Sequence, residues 1–116
     1  MKDERVYLRH ILKCISRLDV EVAKGEAEFR ASDTVRDAVV LNLAIMGEAI
    51  KRLSAQTRGL APRVPWSEIT KLRDILIHKY DQIDLHEIWD IARLDVPPFK
   101  AQVERLLAEL SEDDNA

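Results

Sequence analysis

The segment SDTVRDAVVLNLAIMGEAIKRL, residues 32–53, decides the fold. Ser32 and Asp33 are good helix N-caps, and Asp37 follows in the first turns, where the helix dipole favours a carboxylate. Val35, Val39, Leu43, Met46, Ile50 and Leu53 then recur at three- and four-residue steps, the seam of an amphipathic helix that ends before Gly59. Between Ala38 and Ile50 the helix is apolar on more than one side. Such a helix is central to a bundle or shared with another chain, a first indication of an oligomer. Gly47 sits inside it at a cost of about 1 kcal/mol relative to alanine, and would admit the close approach of another backbone.

The flanking sequence reads as helix on both sides. Upstream, Leu8, Ile11, Leu12, Ile15, Leu18 and Val22 place a helix over about Glu4 to Lys24, with Arg5, Arg9, Lys13 and Arg17 as a basic stripe on its other side. Such a stripe is ordinarily the wet face of a helix; it could also face a polyanion. Gly25 breaks this helix, and a short connection containing Phe29 follows. Downstream, Pro62 and Pro65 mark a loop, with Pro65 suited to the first turn of a helix over about Trp66 to Tyr80. Asp84 and Glu87 form a capping pair, with Ile83 and Ile88 as a hydrophobic staple. That helix is expected to run to Leu94 and stop at Pro97 and Pro98. A last helix turns Phe99, Val103, Leu106, Leu107 and Leu110 inward, leaving residues 111–116 as a disordered acidic tail. The reading is an all-α antiparallel bundle of about five helices in one domain, residues 1–110.

Composition agrees. The 116 residues suit a single domain, 47% apolar content supports a core, and 3 Gly with 4 Pro leave little turn chemistry for a β-sandwich or barrel. The longest apolar stretch, Ala38 to Gly47, is interrupted by Asn42 and is too short to span a membrane. The charged start MKDERVYLRH has no secretory-signal character. A single cysteine, Cys14, on the apolar side of its helix reads as core and suits a reducing cytoplasm.

Net charge is −3, which argues against indiscriminate coating of nucleic acid, but it is unevenly spread. Residues 1–50 balance to −1 and residues 81–116 to −7. Residues 51–80 carry Lys51, Arg52, Arg58, Arg63, Lys71, Arg73 and Lys79 against Glu68 and Asp74. A local positive field of this kind suits the grip of one anion. His10, His78 and His86 have no metal-ligand spacing, and no phosphate loop, dinucleotide turn or zinc helix occurs, so neither metal nor cofactor is expected. Arg73, Asp74, His78, Lys79 and Tyr80 cluster within eight residues. A guanidinium binds phosphate through paired hydrogen bonds, and an imidazole moves protons near neutral pH. Together they suffice to cleave RNA, whose 2′-hydroxyl supplies the nucleophile. On an ideal helix Asp74 lies one turn before His78 and could orient it, whereas Arg73 and His78 stand about 140° apart. They meet only if the helix distorts or if the site forms across a symmetric dimer. An Arg and a His near a helix end are, by themselves, ordinary surface residues.

The arginine, four residues, histidine, one residue, tyrosine spacing of RDILIHKY resembles the signature of HEPN-domain toxins of the HepT-like family. DAVVLNLAIMGEAIKRL resembles the family's second helix with its Gly-Glu-Ala signature at Gly47, Glu48 and Ala49. VPWSEITKLRDILIHKYDQID resembles the third, and IWDIARLDVPPFKAQVERLL the last two. The resemblance implies a HEPN-like homodimer with Arg73 and His78 lining a cleft on the two-fold axis, and a metal-independent endoribonuclease acting as the toxin of a type VII-like toxin–antitoxin pair. It implies His78 as general acid/base and Arg73 on the phosphate. Tyr80 would be the AMP acceptor for a nucleotidyltransferase antitoxin, since a bulky anion beside Arg73 would repel the RNA phosphate. Asp74, where such proteins often carry Asn, together with Lys79 and Glu48, would support the site; Asp74 could instead repel the substrate backbone. Two other readings remain: a non-catalytic HEPN binding module that docks a nucleotidyltransferase or a nucleotide, and a purely structural dimeric bundle.

Overall fold

The structure, a computed structural model, describes residues 3–115, with side chains as far as Ser111. Helix α1 spans Arg5–Val22, α2 Glu26–Ala31, α3 Asp33–Lys51, α4 Ala55–Gly59, α5 Trp66–His78, α6 Leu85–Asp90 and α7 Val96–Asn115. No strand occurs among the described residues. The all-α expectation holds, and α1, α3 and α5 begin within a residue of where caps and periodicity place them. Ser32 caps α3 by accepting from the Val35 N–H at 3.2 Å, and Asp84 caps α6 by accepting from the His86 and Glu87 amides.

Several boundaries differ from the sequence reading. The helix expected to run to just before Gly59 stops at Lys51, and Ser54 caps a separate short α4 by accepting from the Thr57 N–H. The connection around Phe29 is helical, because Gly25 at φ 93° turns the chain sharply enough for α2 to start at once. Its Phe29 is fully buried and stacks on Trp89 at 5.2 Å. Pro97 and Pro98 do not stop a helix. Residues Ile91–Asp95 form a π turn in which the Val96 N–H reaches back to the Ile91 carbonyl, and α7 starts there. The wider turn gives the proline rings room, and a first-turn proline lacks only an N–H that needs no partner there. Finally, α7 continues past Leu110 through Asn115, where a disordered tail was expected; residue 116 lies outside the described residues.

The centre of the bundle is α3, which packs against α1 on one side and α5 on the other, while α1 also packs on α7. Leu8, Ile11, Ile15 and Leu18 of α1 and Val39, Leu43 and Ile50 of α3 meet Val96, Val103 and Leu106 of α7 in a single core. Cys14 is buried there, and burial pushes its thiol pKa up, the state of an inert core cysteine. Glu4, just before α1, accepts hydrogen bonds from the Ser54 hydroxyl and the Thr57 hydroxyl, both at 2.8 Å, and from the Ser54 amide. Burial alone would raise the Glu4 pKa, but these bonds and the nearby Arg58 charge hold it below the usual carboxylate range. The carboxylate thus ties the start of α1 to the start of α4. At the head of α5, Trp66 is buried edge-on to Phe99 at 5.8 Å, and its indole N–H donates to the carbonyls of Arg58 and Ala61.

Candidate active site

Helix α5 has two flanks. One faces a groove of about 1030 Å3 against α6 and α7, floored by Ile69, Leu72, Ile75 and Phe99. Neither Arg73, His78 nor Tyr80 lines that groove. Arg73 lies on the other flank, where α5 crosses α3.

Gly47 makes this crossing possible. A Cβ placed there would stand 2.5 Å from the Arg73 Cβ and 3.0 Å from its Cγ, well inside van der Waals contact. Gly47 does admit a close neighbour, but it is the side-chain stem of Arg73 and not a backbone; the Ile69 carbonyl, 3.6 Å away, is at ordinary contact distance. With its stem seated there, Arg73 extends its guanidinium across α3. Nη2 meets Glu48 Oε2 at 3.0 Å, and Nη1 donates to Asp74 Oδ1 at 3.0 Å. The side chain retains only 21% of its exposure, and its buried Nε has no partner. Lys51 Nζ lies 3.4 Å from the same Asp74 oxygen, and Arg52 Nε lies 4.0 Å from Glu48 Oε1. Three cations and two carboxylates thus share one patch. The hydrogen bond from Arg73, reinforced by Lys51, holds the Asp74 carboxyl below its ordinary pKa range against the opposing effect of desolvation.

Within one chain Asp74 pairs with cations and not with His78. It stands one turn before His78, but its oxygens go to Arg73 and Lys51, and no hydrogen bond joins it to the imidazole. Lys51 was legible as part of the basic stretch but not as a partner of Asp74; it lies 23 residues away and is brought in by the α3–α5 crossing. Glu48, expected as site support, is a direct ion-pair partner of Arg73. His78 is the last residue of α5 and is exposed. Lys79, with φ −132° and ψ 38°, breaks the helix; its N–H closes on the Ile75 carbonyl while its side chain is exposed. Tyr80, expected inside the helix, instead opens a 3-10 turn over Tyr80–Gln82 and is 74% exposed. Helix α5 stays α-helical up to His78, so no distortion swings the imidazole round to Arg73. No hydrogen bond joins the two within the chain.

The arrangement sets a guanidinium, an exposed imidazole and an exposed phenol along one helix and its exit. Among the described residues, no three His, Cys, Asp or Glu side chains gather where a metal could be held. No helix among them is long and apolar enough to cross a membrane.

Comparison with known proteins agrees with this composition. Residues 11–106 match the family described as Ribonuclease HepT-like. A Methanocaldococcus jannaschii protein named "Gamma-glutamylcyclotransferase and putative RNase" is 36% identical over 98% of this chain, which spans only 52% of that relative. A "Putative RNase" of Caldanaerobacter subterraneus subsp. tengcongensis is 37% identical, over 92% of this chain and 96% of its own. A "Probable ribonuclease HepT" of Thermococcus cleftensis is 34% identical, over 68% of this chain and 72% of its own. No solved structure matches significantly. With the family's match spanning most of the chain and its helical architecture in place, the chain belongs to the HepT-like ribonuclease family and has an all-α, HEPN-like fold.

Proposed function

We propose that this chain is a metal-independent endoribonuclease and the toxin of a type VII-like toxin–antitoxin pair, acting in the cytoplasm as a symmetric homodimer. The observation that carries the reading is the anchoring of Arg73 between α3 and α5, with His78 and Tyr80 left exposed at the exit of the same helix. In the proposed reaction, a His78 imidazole takes the proton of a ribose 2′-hydroxyl, whose oxygen attacks the adjacent phosphorus. The bond to the 5′-oxygen breaks, and that oxygen takes a proton from a second imidazole. Arg73 holds the phosphate and stabilises its growing charge. A dimer supplies two copies of His78 and removes the need for Arg73 and His78 of one chain to meet. Leu41, seven residues before Glu48, and Ile77, four after Arg73, are exposed apolar residues beside the ion-pair patch and suit such an interface. The Tyr80 hydroxyl is free to attack the α-phosphorus of ATP held by a nucleotidyltransferase antitoxin, displacing pyrophosphate and leaving AMP beside Arg73.

The decisive experiment incubates the purified, unmodified protein with cellular RNA in EDTA and characterises the cut ends. The proposed chemistry yields 2′,3′-cyclic phosphate and 5′-hydroxyl ends. No cleavage by a confirmed dimer would favour the alternative of a non-catalytic module that docks a nucleotidyltransferase or a nucleotide. The pairing of Arg73 with two carboxylates is the observation that favours that alternative.

The same pairing yields a further expected result. RNA must displace Asp74 from Nη1, so Asp74→Asn should tighten binding of a non-cleavable 2′-O-methyl RNA. The gain should be about two- to fivefold, the factor that an exposed ion pair of up to about 1 kcal/mol allows. Because the Asp74 pKa is depressed, the competing charge persists at neutral pH and disappears only as pH falls through that lowered value. The advantage of the Asn variant should therefore shrink in acid. Weaker binding by Asp74→Asn in an anisotropy titration would instead make the carboxylate a support for Arg73.

A further inference from the structure

Helix α1 carries a feature that the catalytic patch does not use. Arg9, Lys13 and Arg17 are all exposed, and none has an ion pair or a side-chain hydrogen bond among the described residues. Many surface cations elsewhere are paired, Lys24 with Glu21, Arg30 with Glu26, Arg36 with Asp33 and Arg105 with Glu109, whereas Arg63, Lys71 and Lys79 have no ion pair among the described residues. The nearby Asp3 feels the Arg9 charge but gives both its oxygens to Arg5. At 100° per residue the three cations span about 80° of the helix, centred opposite the buried Leu8, Ile11, Ile15 and Leu18. The residues sharing that face are Val6, His10, Ser16 and Val20, all exposed and none of them a carboxylate. Asp19 and Glu21 fall to either side of it, and each is paired, with Lys100 and Lys24 respectively.

Four-residue spacing on a helix rising 1.5 Å per residue sets the cations about 6 Å apart, close to the separation of successive phosphates along an extended strand. We infer that this face of α1 is a second RNA-binding surface, a track for the phosphates of single-stranded substrate outside the cleavage site. The inference rests on the ribonuclease reading and names how that substrate is held. Unpaired cations suit this role because a phosphate that meets them displaces counterions rather than a protein carboxylate. The whole chain measures 50 × 27 × 23 Å, so a strand of about 20 nucleotides is long enough to touch both the α1 face and the α3–α5 patch.

The test titrates a 2′-O-methyl RNA of about 20 nucleotides by fluorescence anisotropy between about 50 and 200 mM salt. Wild type is compared with Arg9→Gln/Lys13→Gln/Arg17→Gln, substitutions that keep helix propensity. Each lost phosphate contact removes about 0.7 from the slope of log K against log salt, so the variant's slope should be shallower by about 2. A control variant, Lys24→Gln/Arg30→Gln/Arg105→Gln, removes the same charge from paired positions and should keep the wild-type slope. Equal slopes for the helical α1 variant and wild type would overturn the track while leaving the ribonuclease reading standing. Equal losses in both variants would overturn it too, by tracing the effect to net charge alone. Wild type that neither binds nor cuts RNA would overturn both.

Discussion

Arg73→Ala is expected to reduce RNA cleavage by about 10²- to 10³-fold, the usual effect of removing one donor from a developing oxyanion. The loss should fall mainly on kcat, since the guanidinium matters most when the phosphorane gathers charge. Arg73→Lys should not restore it. An ammonium is a point charge and cannot give the paired bonds of a planar fork to phosphate. The fold should survive, because Glu48 and Asp74 are each close to half exposed and can be resolvated once their partner is gone. Circular dichroism and single-turnover cleavage on the same preparation would check both halves of this expectation. Cleavage within threefold of wild type by folded Arg73→Ala would place phosphate stabilisation elsewhere.

Gly47→Ala should be harmful through packing alone. Alanine gains about 1 kcal/mol in helix propensity over glycine. Against this stands a Cβ placed 2.5 Å from the Arg73 Cβ, the rigid root of that side chain and not its flexible end. Overpacking of this kind costs about 1–3 kcal/mol, and relief requires α5 to move away from α3. Because α3 is the main neighbour of α5, such a shift also draws Arg73 off Glu48. The variant should lose both stability, by about 1 kcal/mol net, and most of its cleavage. Gly59→Ala is the control: nothing lies within 4 Å of a Cβ there, so it should be neutral to stabilising in thermal unfolding, by up to about 1 kcal/mol. A Gly47→Ala protein as stable and active as wild type would show that the crossing has slack.

The long helices were legible because their signals are local. Ser32, Asp84 and the periodic apolar seams act within a few residues, and the structure honours each of them. Phe29 was misread as loop because a six-residue helix has too few turns to show a period; its identity comes from Trp89 sixty residues away. The two prolines were read as a stop because a π turn leaves no signature in sequence. At the site, the residue types in RDILIHKY were legible and their partners were not. The sequence left Asp74 a choice between His78 and repelling substrate, and the structure gives it Arg73 and Lys51. That outcome depends on where α3 crosses α5, a tertiary fact.

The clasp made by Glu4 bears on the order in which the chain acquires its shape during synthesis. Its partners, Ser54 and Thr57, lie 50 and 53 residues downstream, so the first helix cannot be fastened at its start until that much more chain has emerged. In a bundle whose other bonds are mostly helical and local, this is a long reach, and long reaches set the pace of folding. It also divides the nascent chain into an early portion containing Glu48 and a late one containing Arg73. The early portion can close on itself while Glu48 still lacks its Arg73 partner. An emerging chain therefore does not bring Arg73 onto Glu48 until its fifth helix has docked.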